Sequence, residues 1–345
     1  MKNNSKPKVC TRCVLPETFP GIRFDADGVC SMCRDAGSAE SVDERREALR
    51  LRMEAAITER RGRGPYDCVV AFSGGKDSTY TLALLVNEYE LNCLAVTVDN
   101  GFISRQAVKN CRTVTDRLGV DFMLFKPAPE FMNRMYRASA TEAGIHAPAA
   151  IRRASSVCNS CIQLINTYMV KVALQNDVPI IAGGYIGGQV PGDAALIDLD
   201  PIAQARMGEQ SLIRYTTHFG ADAAKHMAVH EPLLQRTAGQ TIAVINPLLT
   251  RAVTEAELLD SIGKIGWEPA KDTGRNSSNC MLNDLGIAIH HKRHGFHPYA
   301  LEISEQVRSG LMSRDEALAK VADLPESADV AWQARKIGLP ADVLV

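Results

Sequence analysis

The chain has no long hydrophobic run, no excess of charge and no repetition, and each absence removes a class of protein. None of its apolar stretches approaches the roughly 20 residues a helix needs to cross a bilayer, so no membrane partner is expected. The opening residues, MKNNSKPKVCTRC, lack the apolar centre of a secretory leader; the expectation is a cytoplasmic protein. Lysine and arginine number 39 against 40 aspartate and glutamate, a net charge of −1. There is then no overall basic field to gather nucleic acid. Short basic clusters remain at Arg60, Arg61 and Arg63, at Arg152 and Arg153, and from His290 to His294, but runs of this length are ordinary solvated surface. No internal repeat or low-complexity tract is present.

What is there begins with size. A chain of 345 residues suggests two domains with small appendages, and 46% hydrophobic residues suffice for a sizeable core. Ten cysteines are many for a cytosolic chain, and metal or redox chemistry is a better default than a disulfide framework. Cys10 and Cys13 are separated by sixteen residues from Cys30 and Cys33. Each CxxC can place two sulfurs on one metal, and Asp27-Gly28 supplies a turn before the second pair. Four thiolates at this spacing fit tetrahedral zinc. So small a unit cannot bury enough apolar surface to fold alone, so Zn²⁺ would supply the missing stability. Residues 1–36 are therefore expected to form a zinc ribbon.

Residues 37–65 follow as a linker. Within them 41–63 reads as an amphipathic helix, with Ser41 as cap, Glu44 three residues on, and Leu49, Met53 and Ile57 at helical spacing. Gly62, Gly64 and Pro65 end it. From residue 67 short apolar segments alternate with helical ones. Strands are expected at Cys68–Phe72, Cys93–Val98, Phe122–Phe125 and Pro179–Ala182, and helices near 77–89, 104–118, 160–176 and 254–265. This order predicts an α/β fold, a doubly wound parallel sheet with helices on both faces, over residues 66–285. The stretch from Gly187 to Gln240 has weak periodicity and reads as a lid or a dimer element, so a homodimer is one expectation. Residues 286–345 form a C-terminal helical extension.

The sharpest motif is DCVVAFSGGKDS, residues 67–78. A buried strand runs into a glycine turn and a helix starts at once. Gly74 and Gly75 let the backbone approach an anion closely, and the turn's N–H groups then point at phosphate oxygens. Ser73 and Ser78 add hydroxyl donors and Lys76 adds positive charge. Asp77 would repel phosphate directly and is expected to act through Mg²⁺. The GxxxxGK[ST] spacing of a Walker loop is absent. Asp99, at the end of the second strand, is placed either beside the nucleotide or in a simple helix-capping turn.

The segment resembles the SGGxDS signature of PP-loop, or N-type ATP pyrophosphatase, enzymes. That resemblance implies cleavage of ATP between its α and β phosphates, with Ser73 to Ser78 and Asp99 around the nucleotide. Cys158-Asn-Ser-Cys161, a helix, a strand, Gly183-Gly184, and later Asn246-Pro247-Leu248 and Ser277-Ser278-Asn279-Cys280 stand in an order similar to the tRNA thiolation branch of this class. There, three cysteines hold an iron–sulfur cluster and leave one iron open. Cys158, Cys161 and Cys280 are the matching positions, implying a 4Fe-4S cluster. A second zinc, or a metal-free thiol or persulfide pair, remains an alternative for the same residues. The branch's GHxxDD reads Gly183-Gly184-Tyr185-Ile186-Gly187-Gly188-Gln189 here. The missing aspartates and the near-zero net charge argue against tRNA as substrate. Cys68, Cys93 and Cys111 sit in apolar settings and read as core cysteines.

More of the chain is similar to the N-acetyl sugar amidotransferase group of surface-polysaccharide synthesis. The patches are CTRCVLPETFPGIRFDADGVCSMC, Ser73 to Ser78, and the late segment from His294-Gly295-Phe296 through Arg314-Asp315-Glu316-Ala317. This resemblance implies a small-molecule substrate such as a nucleotide sugar, with ammonia from a separate glutaminase; the cysteine trio implies instead a sulfur-donor protein. In the late region Lys292, Arg293, His294 and His297 read as acid–base groups, as a site for an anionic substrate, or as a solvated helix end. A non-catalytic ATP-binding regulator on the same fold is a further reading. Replacing Cys10 or Cys30 by serine is expected to cost one zinc equivalent by metal analysis and to leave protease-sensitive protein. Soluble, zinc-loaded protein after both changes would remove the ribbon.

Overall fold

The computed structural model describes residues 7–36, 39–326, 328–340 and 343. The remaining positions of the expected ribbon, linker and extension lie outside the described residues. Six strands form one sheet: β1 (Cys68–Ala71), β2 (Cys93–Val98), β3 (Asp121–Phe125), β4 (Ile180–Ala182), β5 (Leu196–Leu199) and β6 (Ile242–Ile245). Their order is β3-β2-β1-β4-β6-β5. All neighbours are parallel except the edge pair β5 and β6. This is the α/β fold with a mostly parallel sheet that the alternation of segments predicts.

Alternation along β1 shows why both faces are covered. Val69 joins one core with Leu94, Val96, Ile181 and Leu164. Cys68 and Val70 join the other with Leu82, Leu85, Ala95 and Ile262. A strand buried on both faces reads as a continuous apolar run, which is what CVVA is. Cys68, Cys93 and Cys111 are all buried. Because β1 sits between β2 and β4, the chain order reverses there, and a crevice opens beyond the carboxyl ends of these strands.

The four expected strands and the helices Lys76–Asn87, Arg105–Leu118, Ser156–Gln175 and Glu255–Lys264 form within a few residues of their expected bounds. One expectation needs correction. The linker helix runs from Ala39 to Arg60, so Ser41 lies inside it and does not cap it. The stretch from Gly187 to Gln240 contains β5 and the helices Pro201–Phe219, Ala223–Met227 and Glu231–Arg236. Helix Pro201–Phe219 buries only Pro201, Tyr215 and Phe219, which explains the weak apolar period. Its start is set by Asp200, whose side chain accepts the N–H groups of Ile202 and Ala203 at 2.9 and 3.1 Å.

Toward the carboxyl terminus lie the helices Asn283–His294, Ala300–Arg308, Arg314–Ala322 and Ala331–Ile337. The amino-terminal unit docks on them. Cys10, Cys13, Cys30, Cys33, Leu15 and Phe19 share a core with Phe296, Ala300 and Leu301. Phe19 and Phe296 meet edge to face at 5.1 Å between ring centroids. Arg314 donates to the carbonyls of Cys13 and Cys10 at 3.1 and 2.8 Å. Among the described residues no helix is long and apolar enough to cross a membrane. Phe296→Ala is expected to cost about 3–5 kcal/mol in denaturant unfolding and to speed tryptic cleavage within residues 7–36. Unchanged stability would show that the docking contributes nothing.

Candidate functional site

The site grows from the turn after β1. Gly74 has φ +70, and a Cβ there would lie 2.2 Å from the Ala107 carbonyl oxygen and 2.8 Å from Cys111 Sγ. No other residue fits this position. The Gly74 carbonyl accepts from Trp267 Nε1 at 3.0 Å and Asn110 Nδ2 at 3.3 Å, which fixes the turn from outside. Within it, Ser78 Oγ accepts the Ser73 N–H at 3.2 Å and lies 3.1 Å from Ser73 Oγ. The Lys76 N–H, at the helix start, donates to Ser278 Oγ at 3.1 Å. Lys76 Nζ pairs with Asp77 at 2.8 Å and lies 3.8 Å from Glu255. Gly184, beyond β4, packs so closely that a Cβ would lie 2.9 Å from the Ser78 nitrogen.

Two cavities meet this turn. One of about 630 Å³ has Lys76, Asp77, Tyr299 and Glu302 in its lining. A smaller one, about 60 Å³, is lined by Phe72, Ser73, Thr97, Val98, Asn100 and Asn279. Asp99 lines neither cavity. Its Oδ1 accepts the Gly101 N–H at 2.8 Å and its Oδ2 lies 3.4 Å from Lys126 Nζ. The bland turn geometry is thus present there.

Cys158 and Cys161 lie in the first turns of helix Ser156–Gln175, whose cap Ser155 accepts the Cys158 N–H at 3.1 Å. Cys280 arrives from far along the chain through a bridge to Ile103. One amide gathers two of the sulfurs: Asn100 Nδ2 lies 3.5 Å from Cys280 Sγ and 3.7 Å from Cys161 Sγ. Tyr136 Oη donates to Cys161 Sγ at 3.5 Å. Cys158 Sγ lies 3.8 Å from Asn283 Oδ1, which also accepts the Tyr299 hydroxyl at 2.5 Å. Asn283 is 4% exposed and its Nδ2 donor has no partner among the described residues. Burial pushes the Cys158 thiol up to about 12 and Cys161 up to about 11, and raises Cys280 as well. At neutral pH these are protonated thiols unless a metal or another cation draws off the proton.

The tight cysteine group among the described residues is Cys10, Cys13, Cys30 and Cys33, whose sulfurs all lie within 4.8 Å of one another. The orphaned Asn283 amide and the shared Asn100 amide are donors of the kind that satisfy cluster sulfurs.

Residues 67–182 match the family model described as queuosine biosynthesis protein QueC. The match is confined to these residues, about a third of the chain. An uncharacterized protein of Methanocaldococcus jannaschii is 25% identical over 276 residues, 80% of this chain and 79% of that protein. Among solved structures, the U34-tRNA thiolase NcsA from Methanococcus maripaludis with its 4Fe-4S cluster aligns over 92% of this chain and 90% of its own. Identity there is 15% and the TM-score 0.32, too slight a likeness to speak to function.

Outside the QueC-like segment, the four amino-terminal cysteines fit a single ion. Cys10 and Cys33 sulfurs lie 3.9 Å apart and those of Cys13 and Cys30 lie 3.7 Å apart. Four Zn–S bonds of roughly 2.3 Å in a tetrahedron require separations of roughly 3.8 Å. A hydrogen bond from Cys33 is the first cause holding the Cys13 thiol down to about 4, with the Arg308 charge a smaller one. One thiolate is therefore favoured before any metal arrives.

The late basic region corrects the expectation of an anion or acid–base site. His290 and His297 are buried, and burial depresses them to about 3 and about 4, so they are neutral packing groups. Arg293 donates to the carbonyls of Ala140 and Glu142, and Lys292 to that of Val343. Sequence reasoning did not single out Asn100, Trp267, Ser278, Asn283, Tyr299 or Glu302 for the site. Of these only Asn100 and Ser278 carried a signal, as neighbours of Asp99 and Cys280. Gly74→Ala is expected to lower the affinity for an ATP analogue at least about tenfold in calorimetry, because the turn must rearrange. Wild-type affinity would show that this backbone geometry is dispensable.

Proposed function

We propose that the chain is an ATP-dependent transferase, forming AMP and pyrophosphate, that adenylates a carbonyl or amide oxygen of a small molecule and replaces it. One observation carries this reading. The phosphate-type turn opens on a cavity of about 630 Å³ that is also lined by Tyr299 and Glu302, from outside the QueC-like segment. Such a volume accommodates an acceptor next to the nucleotide phosphates.

In this reading the N–H groups of Gly74, Gly75 and Lys76, the hydroxyls of Ser73 and Ser78 and the Lys76 ammonium hold the phosphates, while Asp77 serves as a ligand for Mg²⁺. The small cavity at the ends of β1 and β2 takes the nucleoside, with Asn100, the residue after Asp99, in its lining. The acceptor oxygen attacks the α-phosphorus and pyrophosphate departs, its charge stabilised by Lys76 and the loop amides. Nitrogen then displaces AMP. A nucleotide N-acetyl sugar as acceptor and a separate glutaminase as ammonia source are the preferred reading, from the resemblance of the opening and late segments. A homodimer is compatible with it. Zn²⁺ at Cys10, Cys13, Cys30 and Cys33 is assigned a structural part.

The meeting of Cys161 and Cys280 at Asn100, with Cys158 beside the buried Asn283, favours a second reading, sulfur transfer from a sulfur-donor protein. In it these residues hold a 4Fe-4S cluster, and bound there the cluster supplies an open iron for the incoming sulfur. The site residues' part is to bind that group and to exclude water from it.

With Mg²⁺, ATP, ammonium and a panel of nucleotide N-acetyl sugars, AMP and pyrophosphate are expected by chromatography. Lys76→Ala and, more severely, Asp77→Ala should lower the rate at least about a hundredfold without unfolding. Normal turnover by both variants would sink the transferase assignment, and nucleotide binding with no AMP would leave a regulator. Anaerobically purified protein is further expected to be brown with about four irons per chain, and Cys280→Ser to bleach it while retaining zinc. Colourless protein with zinc in both cysteine sets would leave nitrogen as the transferred atom.

A further inference from the structure

Replacing an adenylated oxygen by nitrogen requires a proton acceptor, and the cavity's ionisable groups can be sorted by what already holds them. Asp77 is paired with Lys76 at 2.8 Å. Glu255 lies between Lys76 and Lys320, at 3.8 and 3.1 Å; burial works against its ionisation, yet the two ammonium groups keep it below the usual carboxylate range. Glu305 is paired with Arg308 at 2.6 Å. Tyr299 donates its hydroxyl to Asn283 and burial raises it far above neutrality. Glu302 alone among the carboxylates lining the cavity has no ion pair among the described residues.

Its position is held from two sides. Glu302 Oε2 accepts from Gln189 Nε2 at 3.0 Å. Gly188, with φ +88, lies so close that a Cβ would stand 2.4 Å from Glu302 Cα. The segment Gly187-Gly188-Gln189 thus packs against this side chain's helix beside the cavity that Lys76 and Asp77 also line.

We propose that Glu302 is the catalytic base of the transfer step, accepting a proton from the incoming ammonia; this rests on the transferase reading above. As the ammonia nitrogen bonds to the adenylated carbon, one of its protons passes to a Glu302 carboxylate oxygen. The bond from that carbon to the AMP oxygen then breaks, and AMP leaves with the electron pair. Glu302 afterwards releases the proton to water. Burial pushes the Glu302 carboxyl up to about 7, against the Gln189 hydrogen bond and the Lys76 charge, which lower it, while nearby Asp77 raises it and Lys320 lowers it. A base with that value is half ionised near neutrality and strong enough to take a proton there.

The test follows AMP formation from a nucleotide N-acetyl sugar across pH, with total ammonium adjusted at each pH to hold free ammonia constant, in wild type, Glu302→Gln, Glu302→Asp and Glu302→Ala. Wild type is expected to lose rate about tenfold per unit of pH below about 7, the side on which the base is protonated. Glu302→Gln, which keeps the Gln189 contact, is expected to fall by about a hundredfold or more and to lose that acid limb. Glu302→Asp should keep the limb, and added formate should partly restore Glu302→Ala. A merely structural carboxylate would give neither the lost limb nor the rescue. Wild-type AMP formation with an unchanged profile in Glu302→Gln overturns the base alone. No AMP from wild type with any sugar of the panel overturns the transferase reading, and the base with it.

Discussion

The site depends on one pairing between distant segments. Residues just beyond β2 bond to residues nearly two hundred positions later: Ser104 N–H to the Asn279 carbonyl at 2.8 Å, and Met281 N–H to that of Phe102 at 2.9 Å. Between these bonds Cys280 is bridged to Ile103. The same short stretch brings Ser278 onto the Lys76 N–H and Cys280 onto Asn100. Phosphate turn and cysteine trio are thereby tied to one piece of backbone. Backbone hydrogen bonds in a half-buried setting are costly to leave unmade, so neither part can shift without the other.

A second constraint comes from the amino-terminal unit. Its cysteines lie against Ala300 and Leu301, while Tyr299, Glu302 and Gln306 on the same helical segment line the large cavity. One face of a short helix buries against the metal-type cysteine cluster and the other faces the space opposite Lys76. Phe19 against Phe296 and Arg314 on the carbonyls of Cys10 and Cys13 hold the two together. Such a unit is too small to bury a core of its own; here its apolar side chains are completed by the carboxyl-terminal helices.

Much of this was legible in the sequence because it is local. A buried strand, two glycines and a helix start within twelve residues dictate the turn at Ser73 to Ser78, and sulfurs three apart dictate each CxxC pair. The helix Pro201–Phe219 and β5 were not legible, since their apolar residues are few and β5 is half exposed at a sheet edge. The histidines near residue 290 looked chemical in the sequence. Burial made them packing groups, and burial is not a property of any local pattern.

By itself, then, the sequence determined the α/β class, the phosphate-type turn and the pairing of cysteines within each CxxC, because these rest on backbone conformation and on spacings of a few residues. Only the tertiary structure decided which distant groups share a site. Cys280 meets Cys161 at Asn100, Asn283 has an unpartnered donor among the described residues, and Glu302 lines the cavity with no ion pair among them. The reason is physical: a parallel sheet collects loops from its strand ends at one edge, and which loops meet there follows from strand order and long-range pairing, not from proximity in the chain.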